Sequence, residues 1–269
     1  MMLLVFASAI YVIPAIATAN SDEEIPSEWV GKRKVVDRLG KYTRIAIIHY
    51  AVDIGDPDND EATDGYALLG VWWNLSKYKS GVLYIVNPSG GVKQGLKESL
   101  IISEIKMALE VWDYAIDLDD YNPPDIQKYN IELFNNNTQI NYKAKASLSQ
   151  PDYRNVITWG RAQPGVVAYT IIWSISLTGE IVDTDIVLNS YYKWGIADGN
   201  ENTKDLTGKF DIRNIVVHEA GHMIGLDDLY DSKYWAMSMY GYASYGEEIK
   251  RSLEPGDKAG AQTIYSAYR

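Results

Sequence analysis

Cysteine is missing altogether from the 269 residues, and histidine occurs only three times, as His49, His218 and His222. Without thiols there can be no disulfide, no cysteine-held iron–sulfur cluster, no thiol nucleophile and no cysteine-ligated zinc. Any histidine-based metal site is confined to those three positions. Positive charge is also in short supply. The chain carries 25 basic against 36 acidic residues, a formal net charge of −11. It has no cluster of lysine and arginine of the kind a phosphate backbone requires, which argues against nucleic acid as a partner. Long apolar runs are lacking as well. The one extended apolar stretch, residues 3–17, falls short of the roughly 20 residues that span a bilayer and is broken by Pro14. What is present, 46 % hydrophobic residues, is enough to build a real core in one large domain or two small ones, and excludes a disordered chain.

The apolar stretch is followed by Ala17-Thr18-Ala19 and then by the acidic Ser21-Asp22-Glu23-Glu24. Small residues at that spacing read as a secretory signal cleaved after Ala19, although no lysine or arginine precedes the run. The expectation is a secreted, extracellular chain with no stable membrane insertion, or a membrane-tethered one should the segment stay attached. An exported protein without disulfides must rest on its core, a metal, or both.

Residues 44–52 (RIAIIHYAV) read as a strand and give way to 53–61, a turn-rich acidic linker. Beyond it, a strand over 81–87 precedes a helix over 95–116. Leu96, Ile101, Ile105, Ala108, Leu109, Trp112 and Ile116 recur along that helix as a core-facing stripe. Short strands are expected over 139–146, 156–162, 166–174 and 180–189, then helices over 211–225 and about 255–267. That order implies an α+β fold with one twisted mixed sheet. The chain divides into a signal peptide (1–19), an N-terminal segment that could serve as a pro-region (20–64) and a main domain (65–269).

The chemistry concentrates in Val217-His218-Glu219-Ala220-Gly221-His222-Met223-Ile224-Gly225-Leu226-Asp227-Asp228. On a helix, His218 and His222 are i,i+4 neighbours, so both imidazoles project from one face toward one ion. Zinc accepts neutral imidazole nitrogens in that geometry. Glu219 stands beside the ion, placed to take a proton from activated water and pass it to a leaving amine. Gly225 can end the helix at positive φ, and Asp228, three residues later, can bring a third ligand and leave a fourth position open. Asp227 competes with Asp228, but the spacing from Gly225 favours Asp228.

HEAGHMIGLDD resembles the metzincin zinc signature, in the variant whose third ligand is aspartate, as in the snapalysin family. The rest, over about residues 65–268, is similar to the matrixins, especially the archaeal and bacterial matrixin-like peptidases. Ala236-Met237-Ser238-Met239-Tyr240-Gly241 resembles their Met-turn, with Met239 preferred because a tyrosine follows it. The segment 253–265 resembles their closing helix. The resemblance implies one catalytic zinc on His218, His222 and Asp228, Glu219 as general base, and a metzincin fold with a central zinc-binding helix. It further implies that protein or peptide substrates lie extended along a sheet edge at Val167, Ala168 and Tyr169. Calcium near Asp183 or Asp185 is compatible with it, without a readable ligand set. A cysteine-switch latency is excluded here. In its place His49, or Asp56, could cap the zinc if residues 20–64 cover the cleft. Two rivals stand beside this reading: a gluzincin-type peptidase with Glu247 or Glu254 as distant ligand, which Gly225, Asp228 and the Met-turn oppose, and a zinc-stabilised binding protein without catalysis, which an intact Glu219 opposes.

Overall fold

The apolar stripe expected over 95–116 forms a helix over Glu98–Ile116, with Ile101, Ile105, Ala108, Leu109 and Trp112 buried along one side. In the computed structural model the described residues are 25–51, 62–116, 132–197 and 206–265. The signal segment 1–19, the linker 53–61 and Asp56 lie outside them. In chain order the elements are β1 (Lys34–Leu39), β2 (Tyr42–Ala51), β3 (Ala67–Leu68), β4 (Tyr84–Val86), α1 (Ser89–Lys93) and α2 (Glu98–Ile116). Next come β5 (Gln139–Ile140), β6 (Asn155–Gly160), β7 (Val166–Ile175), β8 (Ile181–Asn189), β9 (Trp194–Gly195) and β10 (Phe210–Asp211). The chain continues through α3 (Ile212–Met223), β11 (Leu226–Asp227), β12 (Tyr242–Ala243) and α4 (Pro255–Tyr265).

The main sheet runs β1-β2-β7-β8-β6-β4-β5, with β12 added beside β2. Strands β8, β6, β4 and β5 are mutually parallel, whereas β1, β2 and β7 join antiparallel, so the sheet is mixed and the fold α+β. The largely apolar character of β7 follows from burial on both faces. One face carries the main core, where α2, α3 and α4 pack. The other is covered by a smaller cluster of Ile25, Trp29, Ala46, Ile48, Tyr169, Ile171 and Trp173. No described helix is long and apolar enough to cross a membrane.

One expectation changes and one strand is new. The strand over 139–146 stops after Ile140, because Asn141 closes a turn. Its side chain accepts from the Lys143 N–H (2.9 Å) and its carbonyl from that of Ala144 (3.0 Å). Residues 34–39, whose exposed and charged side chains hide the pattern, form β1, antiparallel to β2.

Candidate metal centre

Helix α3 is buried along almost its whole length, Arg213 alone excepted. Asp211 caps it, accepting from the Asn214 N–H at 2.7 Å. The helix must stop at Gly225, where φ is 107° and a Cβ would stand 2.2 Å from the Val71 carbonyl oxygen. The chain then turns back, and β11 pairs with β3 and delivers Asp228 to the helix face.

There His218 Nε2 and His222 Nε2 lie 3.1 Å apart, and Asp228 Oδ1 is 3.2 Å from the first and 3.4 Å from the second. The opposite ring nitrogens are committed. His218 Nδ1 lies 2.7 Å from the Ser238 carbonyl and His222 Nδ1 2.9 Å from that of Leu226. A carbonyl only accepts, so both Nδ1 atoms carry the proton and both Nε2 lone pairs are bare when the rings are neutral. Two lone pairs and a carboxylate oxygen at this range repel one another unless positive charge sits between them. Burial alone would lower His222 and raise Asp228, yet the Asp228 carboxylate lifts His222 to about 9 and the two imidazoles hold Asp228 well below the usual carboxylate range. A divalent cation would satisfy all three donors at once, and these residues are placed to hold one.

The expected residues separate cleanly. Asp227 pairs with Lys34 and not with the histidines. Met239 packs against α3 at Gly221, where a side chain would strike its Sδ, whereas Met237 packs against Gly256 of α4. Glu247 is paired with Lys250 (2.8 Å), and neither it nor Glu254 joins a metal-ligating group among the described residues. Asp183 and Asp185 lie on β8, where their oxygens take backbone N–H groups. Asp185 accepts from Ser147 (2.7 Å) and Val156 (3.0 Å), and Asp183 Oδ2 from Asp152 (2.6 Å) and Tyr153 (2.9 Å).

Glu219 is fully buried, which raises it above the usual carboxylate range. Its Oε2 accepts from the Thr170 hydroxyl at 2.5 Å, while Oε1 has no hydrogen-bond partner and lies 3.4 Å from His49 Nδ1. Sequence reasoning missed three supports of the site. Thr170 is the polar exception in the apolar run VVAYTIIW, which was its signal. Tyr230 donates to Asp228 Oδ2 at 2.6 Å and orients the carboxylate. Asp257, at the start of α4, accepts from the N–H groups of Ser238 (2.9 Å) and Met239 (3.1 Å), holding the turn whose carbonyl orients His218.

Val167, Ala168 and Tyr169 do lie on β7, but not on a free edge. Tyr169 pairs with Ile48 and Ala168 with His49, so β2 covers the strand where an added peptide would go. Compared with known proteins, the chain matches no family model and no curated protein.

Proposed function

We propose that the chain is a secreted zinc-dependent endopeptidase, a metzincin resembling the matrixin-like peptidases, acting on protein or peptide substrates. The observation that carries this reading is the pair of Nε2 atoms 3.1 Å apart with Asp228 Oδ1 beside both, each imidazole fixed by a carbonyl behind it. Two imidazoles and one carboxylate, with a further position open, suit a catalytic zinc. Zinc there would supply Lewis acidity, stabilising the negative charge that develops on a scissile carbonyl. Glu219, adjacent on the helix but outside the ligand set, takes the proton from the attacking water and returns it to the leaving amine. Thr170 holds one carboxylate oxygen and leaves Oε1 for that transfer. Burial raises Glu219 toward the range in which a carboxylate can both accept and give a proton.

The test is zinc content and casein cleavage for the chain from Asn20 and for its Glu219→Ala variant, each as purified and after a cut within 53–61. One zinc per chain in both is expected, with turnover in the variant lower by about 10²–10⁴-fold. Absence of zinc from both, or casein cleavage equal in the two, would sink the reading.

A further inference from the structure

Strand β2 runs antiparallel to β7 on one side; on the other it pairs antiparallel with β1 over residues 42–47 and parallel with β12 at Tyr50 and Ala51, so that its end lies between β7 and β12. The register of the β2–β7 pair shifts between His49 and Tyr50, leaving Val167 unmatched. At that point the His49 side chain turns in. Its ring lies 4.0 Å from the ring of His218, its Nδ1 is 3.4 Å from Glu219 Oε1, and neither ring nitrogen has a hydrogen-bond partner although the residue is 1 % exposed. A buried imidazole without partners costs stability, so its place is not explained by what it gains there. The approach to β2 is also fastened onto the ligand-bearing loop. Arg33 stacks over the rings of Tyr230 and Tyr242, at 4.2 and 4.8 Å, and donates to the Tyr242 hydroxyl, while Lys34 pairs with Asp227.

We propose that β2 is a built-in occupant of the peptide groove, an intramolecular inhibitor whose His49 closes the space between Glu219 and the metal-binding histidines. This rests on the peptidase reading for what the groove binds. An extended peptide adds to a sheet edge through its backbone, and β2 has taken the hydrogen-bonding positions of β7 that such a peptide needs. Substrate therefore competes with a tethered strand, and the open form sets the rate. The backbone bonds between β2 and β7 are ones a competing strand could replace.

The experiment compares the intact chain from Asn20 with the same chain cut at a protease site inserted within 53–61, and with the intact Arg33→Ala/Lys34→Ala double variant. Casein turnover and binding of a peptide hydroxamate, a zinc-directed probe that needs no turnover, are both read. An open form populated at about 1–10 % in the intact chain gives a rise in kcat/KM of about 10- to 100-fold on opening. Hydroxamate binding should tighten in parallel, and a synthetic peptide of residues 42–51 should compete with casein in the cut chain. The proposal is overturned if intact and opened chains bind the hydroxamate equally. It is overturned too if cutting unfolds the domain while the intact chain cleaves casein, since β2 would then be a structural strand. Tighter hydroxamate binding on opening, with casein untouched in every form, would instead retain the occlusion and defeat the peptidase reading.

Discussion

Two groups of buried acidic residues sit about the sheet and are treated in opposite ways. On β8, Asp183 and Asp185 are 0 % exposed, and between them they accept four backbone N–H groups from residues 147–156. Around α3, Glu219 and Asp228 are buried too, yet Glu219 Oε1 and Asp228 Oδ1 have no hydrogen-bond donor and face imidazoles. In the first group three of the four carboxylate oxygens hold a loop against the sheet, and Asp183 Oδ1 alone has no partner. The second group keeps its lone pairs directed at one another, which is costly unless something positive or reactive fills the space. Burial and charge do not distinguish architecture from chemistry here. What the carboxylates face does: mainly backbone N–H groups on β8, imidazoles around α3.

The contrast predicts different failures. Asp185→Ala orphans the buried N–H groups of Ser147 and Val156, and should lower stability by about 2–4 kcal/mol. Its activity per folded molecule, measured alongside the denaturant midpoint, should stay near the parent value. Glu219→Ala should do the reverse, losing turnover while keeping its zinc. If Asp185→Ala lost turnover without losing stability, the division between the groups would fail.

Metal removal should touch one group alone. Zinc at a hundred times its dissociation constant adds about 2.7 kcal/mol to folding, or roughly 5–10 °C in melting temperature for a domain of this size. A chelator should remove that increment and zinc should restore it. Calcium should not replace it, because among the described residues Asp183 and Asp185 belong to no metal-ligating group. A smaller effect is expected one bond further out. Tyr230→Phe leaves Asp228 Oδ2 without its 2.6 Å donor and should weaken zinc by about 10- to 100-fold in competition with a chromogenic chelator. Unchanged affinity would mean that the carboxylate is oriented by the loop backbone.

Much of this centre is legible in the sequence because it is local. The i,i+4 histidines, the intervening Glu219, Gly225 and Asp228 fall within eleven residues, and helix geometry alone brings them together. The long helices are legible too, since α2 and α4 show a 3.6-residue pattern or a plain terminus. The contacts that complete the site join residues far apart. Thr170 reaches Glu219 across 49 positions and His49 meets it across 170, and no spacing rule carries a strand pairing of that separation. The assumption of a free edge at Val167, Ala168 and Tyr169 failed for the same reason. Strand β2 has the composition of any buried strand, so nothing in RIAIIHYAV says which edge it covers.

The smallest prediction separates the two groups by pH. Burial, reinforced by Asp152 beside it, pushes Asp183 up to about 7. From the ordinary carboxylate range up to about pH 7, the folded chain then holds a proton that the unfolded chain has released. Asp183 therefore favours folding most at acid pH, and its contribution is lost as pH rises through that window. Asp183→Asn keeps an oxygen for the Asp152 and Tyr153 N–H groups but cannot ionise. Relative to the parent, the variant should gain stability between pH 5 and pH 8. Taking the difference between the two chains cancels the titration of groups remote from Asp183, the histidines of α3 among them, and leaves that of Asp183 with the Asp185 beside it. A difference in denaturant midpoint that stays flat across that range would mean Asp183 is ionised throughout, its two backbone donors outweighing burial. The β8 pair would then carry permanent charge, as Asp228 does, and would be set apart from it only by the partners its oxygens have found.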